Sequence, residues 1–342
     1  MEIIDPTLYP DWNEMIASSP EHTFFHSSNW AAVLRDSYRY EPLYFMSRRE
    51  SKIAALIPIM EIKSPLTGSR GVGIPFTDRC EPIFLNEDSF PSVFDEIVRY
   101  GKKAGWKYLE LRGGWGMLNG AVPYRSYVRH VLALHGQEQQ RLKRLSPATR
   151  RNVRKAADSG LRVTISASER DLHEYYRLHC MSRKRHGAPP QPLGFFKAVH
   201  SNVISQDKGF TLLATIHGLP ISGAVYFHFG KKAIYKFGAT DMRYQNLRPA
   251  NLVMWEAIGW FSENGFDELC FGRTDPADAG LIRFKVGWGA REESLHYYRY
   301  DFKKSAFVEG SPDMSSFEKR IFRSTPVPFL RFAGELLYRH MG

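Results

Sequence analysis

Cysteine is scarce: Cys80, Cys180 and Cys270 are the only three in 342 residues. They are odd in number, widely spaced and in no metal-binding pattern, which excludes a disulfide framework and a cysteine-built zinc site and fits a reducing compartment. Long apolar runs are also missing; none approaches the roughly 20 residues that span a bilayer. The opening stretch MEIIDPTLYPDWNEM is acidic and broken by proline, unlike a secretory signal. The expectation is a soluble cytoplasmic protein.

Several catalytic motifs are absent as well. There is no GxxxxGK[ST] loop and no GxSxG elbow, and GVG at 71–73 lacks the third glycine of a dinucleotide fingerprint. HEYYRLH at 173–179 has Arg177 where a zinc-binding HExxH needs its second histidine. P-loop hydrolysis, serine-hydrolase chemistry and metal catalysis therefore lack their residues. Neither a metal nor a permanently bound cofactor is expected. Acidic residues are outnumbered, 36 against 47 basic, for a net charge of +11. That excess favours anions such as nucleic acid, anionic lipid or phosphorylated substrates, and it also suits a merely basic, solvated surface.

What is present is a globular composition, 43% hydrophobic and 14% aromatic, in a chain long enough for two domains. It contains an internal repeat. GKKAGWKYLELRGG (101–114) and FSENGFDELCFGRT (261–274) both read as a helix end, a glycine, an aromatic residue and an alternating strand. Gly105-Trp106 aligns with Gly265-Phe266. Upstream, 42–62 and 210–230 each read as a strand, a turn and a strand. The matching order predicts two related α+β domains in tandem, at 1–135 and 136–308, followed by a helical tail at 309–342. The tail reads as basic amphipathic helices. These pack back on the N-terminal domain or, alternatively, lie on an anionic membrane surface.

Three regions concentrate reactive side chains. At 181–192 a helix end carries Arg183, Lys184, Arg185 and His186, which could equally just complement the helix dipole. At 236–258 a strand ends near Phe237, a loop holds Arg243 and Arg248, and a helix starts near Pro249. A helix start of this kind can hold phosphate, although Pro249 is also an ordinary first-turn residue. The third is FGRTDPADAGLIRFKVGWGA (271–290), where a strand resumes near Arg283 and places Lys285 either beside a reacting carbonyl or simply on a strand edge. Between the halves, Ser146-Pro147 opens a helix bearing Arg150, Arg151 and Arg154, which are candidate RNA or polyanion contacts.

Taken in order, these pieces resemble the FemAB/FemX-type aminoacyl- and acyltransferases. The likeness rests on TFFHSSNWAAVLRDSY (23–38), LSPATRRNVRKAADSGLRV (145–163), RKRHGAPP, LRPANLVMWEAIGWFSENGFDELCFGR and RFKVGWG, and it spans nearly the whole chain. It implies an α+β, three-layer fold of two tandem GNAT-like domains, with mixed sheets flanked by helices. It also implies transfer of an acyl or aminoacyl group from acyl-CoA or aminoacyl-tRNA to an amine. The amine would attack directly in a ternary complex, with no covalent enzyme intermediate. The acceptor would be an amine-bearing sugar, lipid-linked or peptide molecule of the bacterial envelope or of exopolysaccharide synthesis.

By this resemblance Lys285 stabilises the oxyanion, held in place by Phe284 and Trp288. The needs of aminolysis, read onto the same stretches, set Arg248 and Arg273 to bind phosphate or carboxylate and Asp275 or His186 to accept the amine proton. Trp30, Arg35, Arg185 and Tyr235 contact substrate or carrier. Gln191 stands where a family member has arginine, and Leu247-Arg248-Pro249-Ala250 replaces the usual glycine-rich pyrophosphate loop. The first half has no counterpart of Lys285, so the chemistry falls to the second. A non-catalytic polyanion binder of the same fold, using Arg150, Arg151 and Arg154, is the rival reading.

Overall fold

A computed structural model describes residues 1–49, 52–85, 90–113, 115–118, 120–310 and 316–342. The elements run in the order β1 (Glu2–Ile4), α1 (Trp12–Ala17), α2 (Ser28–Tyr38), β2 (Glu41–Arg49), β3 (Lys52–Ile62), β4 (Arg70–Val72), β5 (Ile83–Phe84), α3 (Phe90–Lys103), β6 (Tyr108–Arg112) and β7 (Arg125–Ala133). They continue through α4 (Glu138–Arg144), α5 (Pro147–Ala157), β8 (Arg162–Ser166), α6 (Glu169–Arg185), α7 (Leu193–Asn202), β9 (Gly209–Ile216), β10 (Leu219–Phe229) and β11 (Lys232–Thr240). Last come α8 (Pro249–Glu263), β12 (Glu268–Thr274), α9 (Ala279–Val286), β13 (Arg291–Asp301), β14 (Ala306–Phe307), α10 (Ser316–Ser324) and α11 (Val327–Leu337).

Two compact units result. Unit 1 comprises Met1–Tyr127, Ser294–Asp313 and Leu336–Gly342; unit 2 comprises Val128–Glu293 and Met314–Glu335. This division differs from the sequence boundaries at 135 and 308, and strand pairing explains the difference. Tyr297–Asp301 of β13 pair antiparallel with Arg112–Tyr108 of β6, which brings the chain past 294 back to unit 1. The tail divides too. α10 packs on α6, and Gly334 of α11 lies so close to the Pro190 carbonyl that a side chain there would collide with it. The last residues instead serve unit 1, where Arg70 Nε donates to the Gly342 carbonyl at 3.0 Å and Tyr40 Oη to that of Tyr338 at 2.9 Å.

Within unit 1 the strand order is β1-β2-β3-β4-β6-β13, with β5 beside β3 and β14 beside β13. Its core joins Leu43, Phe45, Ile57 and Ile59 of the β2–β3 hairpin to Val93 and Ile97 of α3. Within unit 2 the order is β7-β12-β11-β10-β9-β8, and α8 seals one face through Val253, Met254, Ala257, Ile258 and Phe261.

The repeat predicted from sequence is present in each unit. A hairpin (β2–β3; β9–β10) is followed by a strand (β4; β11), a helix (α3; α8) and a parallel partner (β6; β12). Gly105 and Gly265, with φ of 69° and 75°, end the two helices in the left-handed conformation that a side chain resists. Both units are thus mixed sheets flanked by helices. No helix among the described residues is long and apolar enough to cross a membrane.

Candidate functional site

In unit 2, β11 and β12 pair in parallel only through Lys232–Ile234 and Glu268–Cys270. Both strands run on, β11 to Thr240 (three residues beyond the end expected at Phe237) and β12 to Thr274. Each is irregular at the point of parting. The β10–β11 register shifts between Val225 and Tyr226, and the β12–β7 register shifts between Cys270 and Arg273. Bulges bend and overtwist a strand, so two neighbours bulged at the same level diverge. Gly272, with φ of 69°, supplies the left-handed residue of the β12 irregularity.

A bulge frees main-chain groups from the ladder, and Lys285 takes two of them. Its Nζ donates to the Gly272 carbonyl at 2.9 Å and to the Arg273 carbonyl at 3.3 Å, and the residue is 2% exposed. The sequence placed Lys285 on a strand resuming near Arg283. Residues 279–286 are instead helix α9, and the next strand begins at Arg291. Asp278 decides this, because its Oδ1 accepts from the Leu281 amide at 3.0 Å and caps the helix. Gly287 then packs closely on Thr149 Oγ1 and the Arg283 carbonyl, so a side chain there would displace Thr149. Trp288 is buried in the unit 2 core, with Phe284 edge-on to it at 6.0 Å, so this pair anchors α9.

Sequence reasoning missed the neighbour of Lys285, His130 on β7. It is fully buried, with Nε2 3.2 Å from Glu292 Oε2. Burial, and then the Lys285 ammonium, hold its pKa below the usual histidine range. The only signal in the sequence was a histidine within the inward alternation of RSYVRHVLA. His179 was also missed. It is buried, with Nε2 2.7 Å from Gln191 Oε1, and burial drives its pKa down to about 3.

Beyond β11 the chain turns into α8. Arg248, at φ 58°, occupies the cap position and makes no side-chain capping bond; Pro249 carries no N–H, and the Asn251 amide donates to the Arg248 carbonyl at 3.0 Å. Arg248, Arg151, Arg154 and Lys155 line an open cleft of about 660 Å³, with Asp158 as its one acidic wall. Ser146 caps α5 by accepting from the Thr149 amide at 3.2 Å, as the sequence predicts, and so fixes these side chains. Arg150 points elsewhere. Its Nη2 donates to the Lys143 and Leu145 carbonyls at 3.2 and 3.3 Å, closing the end of α4.

The other expected site residues are dispersed. Arg273 and Asp275 are exposed, and Asp275 Oδ1 accepts from the Ala277 amide at 2.8 Å. His186 caps the end of α6 with Arg185 Nη2 at 3.1 Å. Partial burial and the guanidinium groups of Arg185 and Arg183 lower its pKa, against Asp278. It therefore feels the first turn of α9, whereas Lys285 lies near the other end, about 10 Å along the axis. Tyr235, half-buried at the parting of the strands, lies 5.4 Å from Tyr226 with the rings tilted at 46° and its hydroxyl over Gly238, and burial raises its pKa to about 12. In unit 1, Trp30 is fully buried against Phe24 and Phe25, which closes it to any ligand. Arg35 is bound to Asp36 at 3.2 Å and to Thr7.

Comparison with known proteins bears on the fold. Residues 143–286 match the acetyltransferase (GNAT) domain family. The fold is similar to that of the protein in a crystal structure of FemX, with a TM-score of 0.68 at 13% identity, over 88% of this chain and 96% of that one. It is similar to a tandem GNAT protein from the clavulanic acid biosynthesis pathway, with a TM-score of 0.56 at 8% identity, over 89% and 95% of the two chains. It is also similar to the C-terminal domain of a putative lysylphosphatidylglycerol synthetase from Agrobacterium fabrum, with a TM-score of 0.53 at 13% identity, over 79% and 86%. No curated protein matches the chain by sequence.

Proposed function

From a chain with the FemX-type tandem GNAT fold, whose residues 143–286 match the GNAT acetyltransferase domain, we propose an N-acyltransferase that moves an acyl or aminoacyl group from a phosphate-bearing carrier to an amine. The observation that carries this reading is the parting of β11 from β12 beyond Ile234 and Cys270. It opens a slot between strands whose inner edges present main-chain groups, and it leads directly to the start of α8.

A carrier's acyl arm fits the slot, and its phosphates fit the cleft of Arg151, Arg154, Lys155 and Arg248. The amine nitrogen attacks the acyl carbonyl, the new C–N bond forms, and the C–S bond of a thioester or the C–O bond of an ester breaks. The amine proton is lost to water, and the carrier takes up a proton and departs as thiol or alcohol. Lys285, fixed by two carbonyls, places positive charge beside the β12 bulge, where the oxyanion develops. No side-chain nucleophile is required. The coenzyme A thioester is the preferred carrier because the open cleft carries four cations for its phosphates. An envelope acceptor is in keeping with the likeness to FemX and to the lysylphosphatidylglycerol synthetase domain.

Titration calorimetry with acetyl-CoA, and separately with charged and uncharged tRNA, tests the proposal. Saturable binding of a charged carrier that Arg154→Gln and Arg248→Gln both weaken supports it. Binding of uncharged tRNA as tight as charged tRNA, with no acyl transfer to any amine, would instead make the chain a polyanion binder. That second reading is favoured by the engagement of Lys285 with main-chain carbonyls.

A further inference from the structure

The tail carries an outward surface that the transfer site does not use. In α11, Leu330 and Gly334 face inward, the latter against the Pro190 carbonyl. Phe329, Phe332 and Leu336, spaced i, i+3 and i+7, occupy the opposite face and are 67%, 62% and 53% exposed. Ile321 of the preceding α10 is 49% exposed. Two large aromatic side chains turned to water on one helix face are unusual for a surface with nothing to cover it.

Cations flank these apolar groups. Arg320, Arg323 and Arg331 are exposed, and Glu335 is the one exposed acid on α11. Arg331 also lies 5.4 Å over the Tyr176 ring, so its charge is held at the edge of the patch. Aromatic and aliphatic anchors ringed by arginine are the arrangement by which an amphipathic helix lies in a lipid interface. A second copy of the chain suits the face poorly, because a two-fold contact would set the arginines of one copy against those of the other. The net charge of +11 adds attraction to an anionic surface.

We propose that the outer face of α10 and α11 docks the protein reversibly on an anionic lipid bilayer, with Phe329 and Phe332 entering the interface and Arg320, Arg323 and Arg331 contacting lipid phosphates. The proposal is independent of the transfer reaction and stands or falls without it. Co-sedimentation of the full chain with phosphatidylcholine vesicles, with and without phosphatidylglycerol, tests it. Binding is expected only with phosphatidylglycerol and weakens as salt is raised.

Phe329→Ser together with Phe332→Ser should weaken partition by about tenfold or more. Arg320→Gln and Arg323→Gln should each weaken it by about fivefold. Phe329→Trp with Phe332→Trp should retain it, which separates loss of the anchor from loss of the fold. Three results overturn the proposal. One is no binding to phosphatidylglycerol vesicles. Another is binding that the serine pair leaves intact while Arg151→Gln with Arg154→Gln abolishes it. The third is a concentration-dependent dimer that the serine pair dissolves, which would assign the face to a second copy.

Discussion

Lys285→Met is the most informative perturbation, because it keeps the length of the buried stem and removes only the ammonium. Two charge-assisted hydrogen bonds to the Gly272 and Arg273 carbonyls vanish. Such bonds are each worth about 1.5–3 kcal/mol, so the gross loss is roughly 3–6 kcal/mol. Against this, a group only 2% exposed no longer carries a desolvated charge, which returns several kcal/mol. The net cost to unit 2 is expected at about 1–3 kcal/mol. Urea unfolding followed by tryptophan fluorescence measures it, with the transition of each unit fitted separately.

Activity should fall further than stability does. An oxyanion donor contributes roughly 3 kcal/mol, about a hundredfold in kcat. Lys285→Met, assayed below its unfolding transition, should show that loss with KM for the carrier little changed. A loss of kcat within about threefold would refute the oxyanion assignment and leave Lys285 as a clamp on the bulge. A variant as stable as the native chain would refute the clamp.

Other consequences follow from named contacts. Arg151→Gln, Arg154→Gln and Arg248→Gln should each weaken carrier binding by about three- to tenfold and flatten its salt dependence, whereas Arg150→Gln, which faces α4, should leave it nearly unchanged; calorimetry at two salt concentrations decides this. Gly238→Ala should cut activity more than stability, because the added methyl would displace the Tyr235 hydroxyl at the parting of the strands; circular dichroism and a transfer assay that fall together would argue against it. His26 and His179 are buried, with pKa values lowered to about 4 and about 3. Their unfolded forms bind protons below about pH 6.5, so the stability they contribute is complete above that pH and is lost as pH falls toward the folded values. At pH 5 each should contribute about 2 kcal/mol less than at pH 7, and His179→Asn should remove its share of the slope in urea midpoints.

Much of the scaffold could be read from local chemistry. The Ser146 cap, the Pro249 start of α8, both terminating glycines and the two hairpins follow from residues acting within a few positions of themselves, and the structure places them as the spacing predicts. The site was less legible because its parts meet only through tertiary packing. AGLIRFKV carries β-formers in a short window, and periodicity could not show that Asp278 would cap it into a helix. Nothing local joins His130 to Lys285, which become neighbours only once β7 pairs with β12. The α5 arginines look alike in sequence. Helix phase and a pair of carbonyls at the end of α4 divide Arg150 from Arg151 and Arg154.

The two units show why duplication need not duplicate chemistry. Each has the same parallel pair, β4 with β6 and β11 with β12. In unit 2, β11 and β12 both continue past the last residues that they pair. In unit 1, β4 stops at Val72, and the chain folds at once into a turn where Ile74 and Phe76 take φ of 55° and 57°. A β-branched residue does not adopt that conformation unless its surroundings impose it. Here Arg112 Nη1 donates to the Ile74 carbonyl at 3.2 Å, and Tyr297 Oη donates to the Thr77 and Asp78 carbonyls at 3.1 and 2.7 Å. The Arg112 guanidinium is held in turn by Glu110, whose pKa the Arg112 and Arg299 guanidinium groups pull down to about 2 against its burial. Where unit 2 leaves strand edges open beside Lys285, unit 1 closes the equivalent ground with a charged network and a strained turn. The proposed transfer step therefore has strand edges to use only in unit 2.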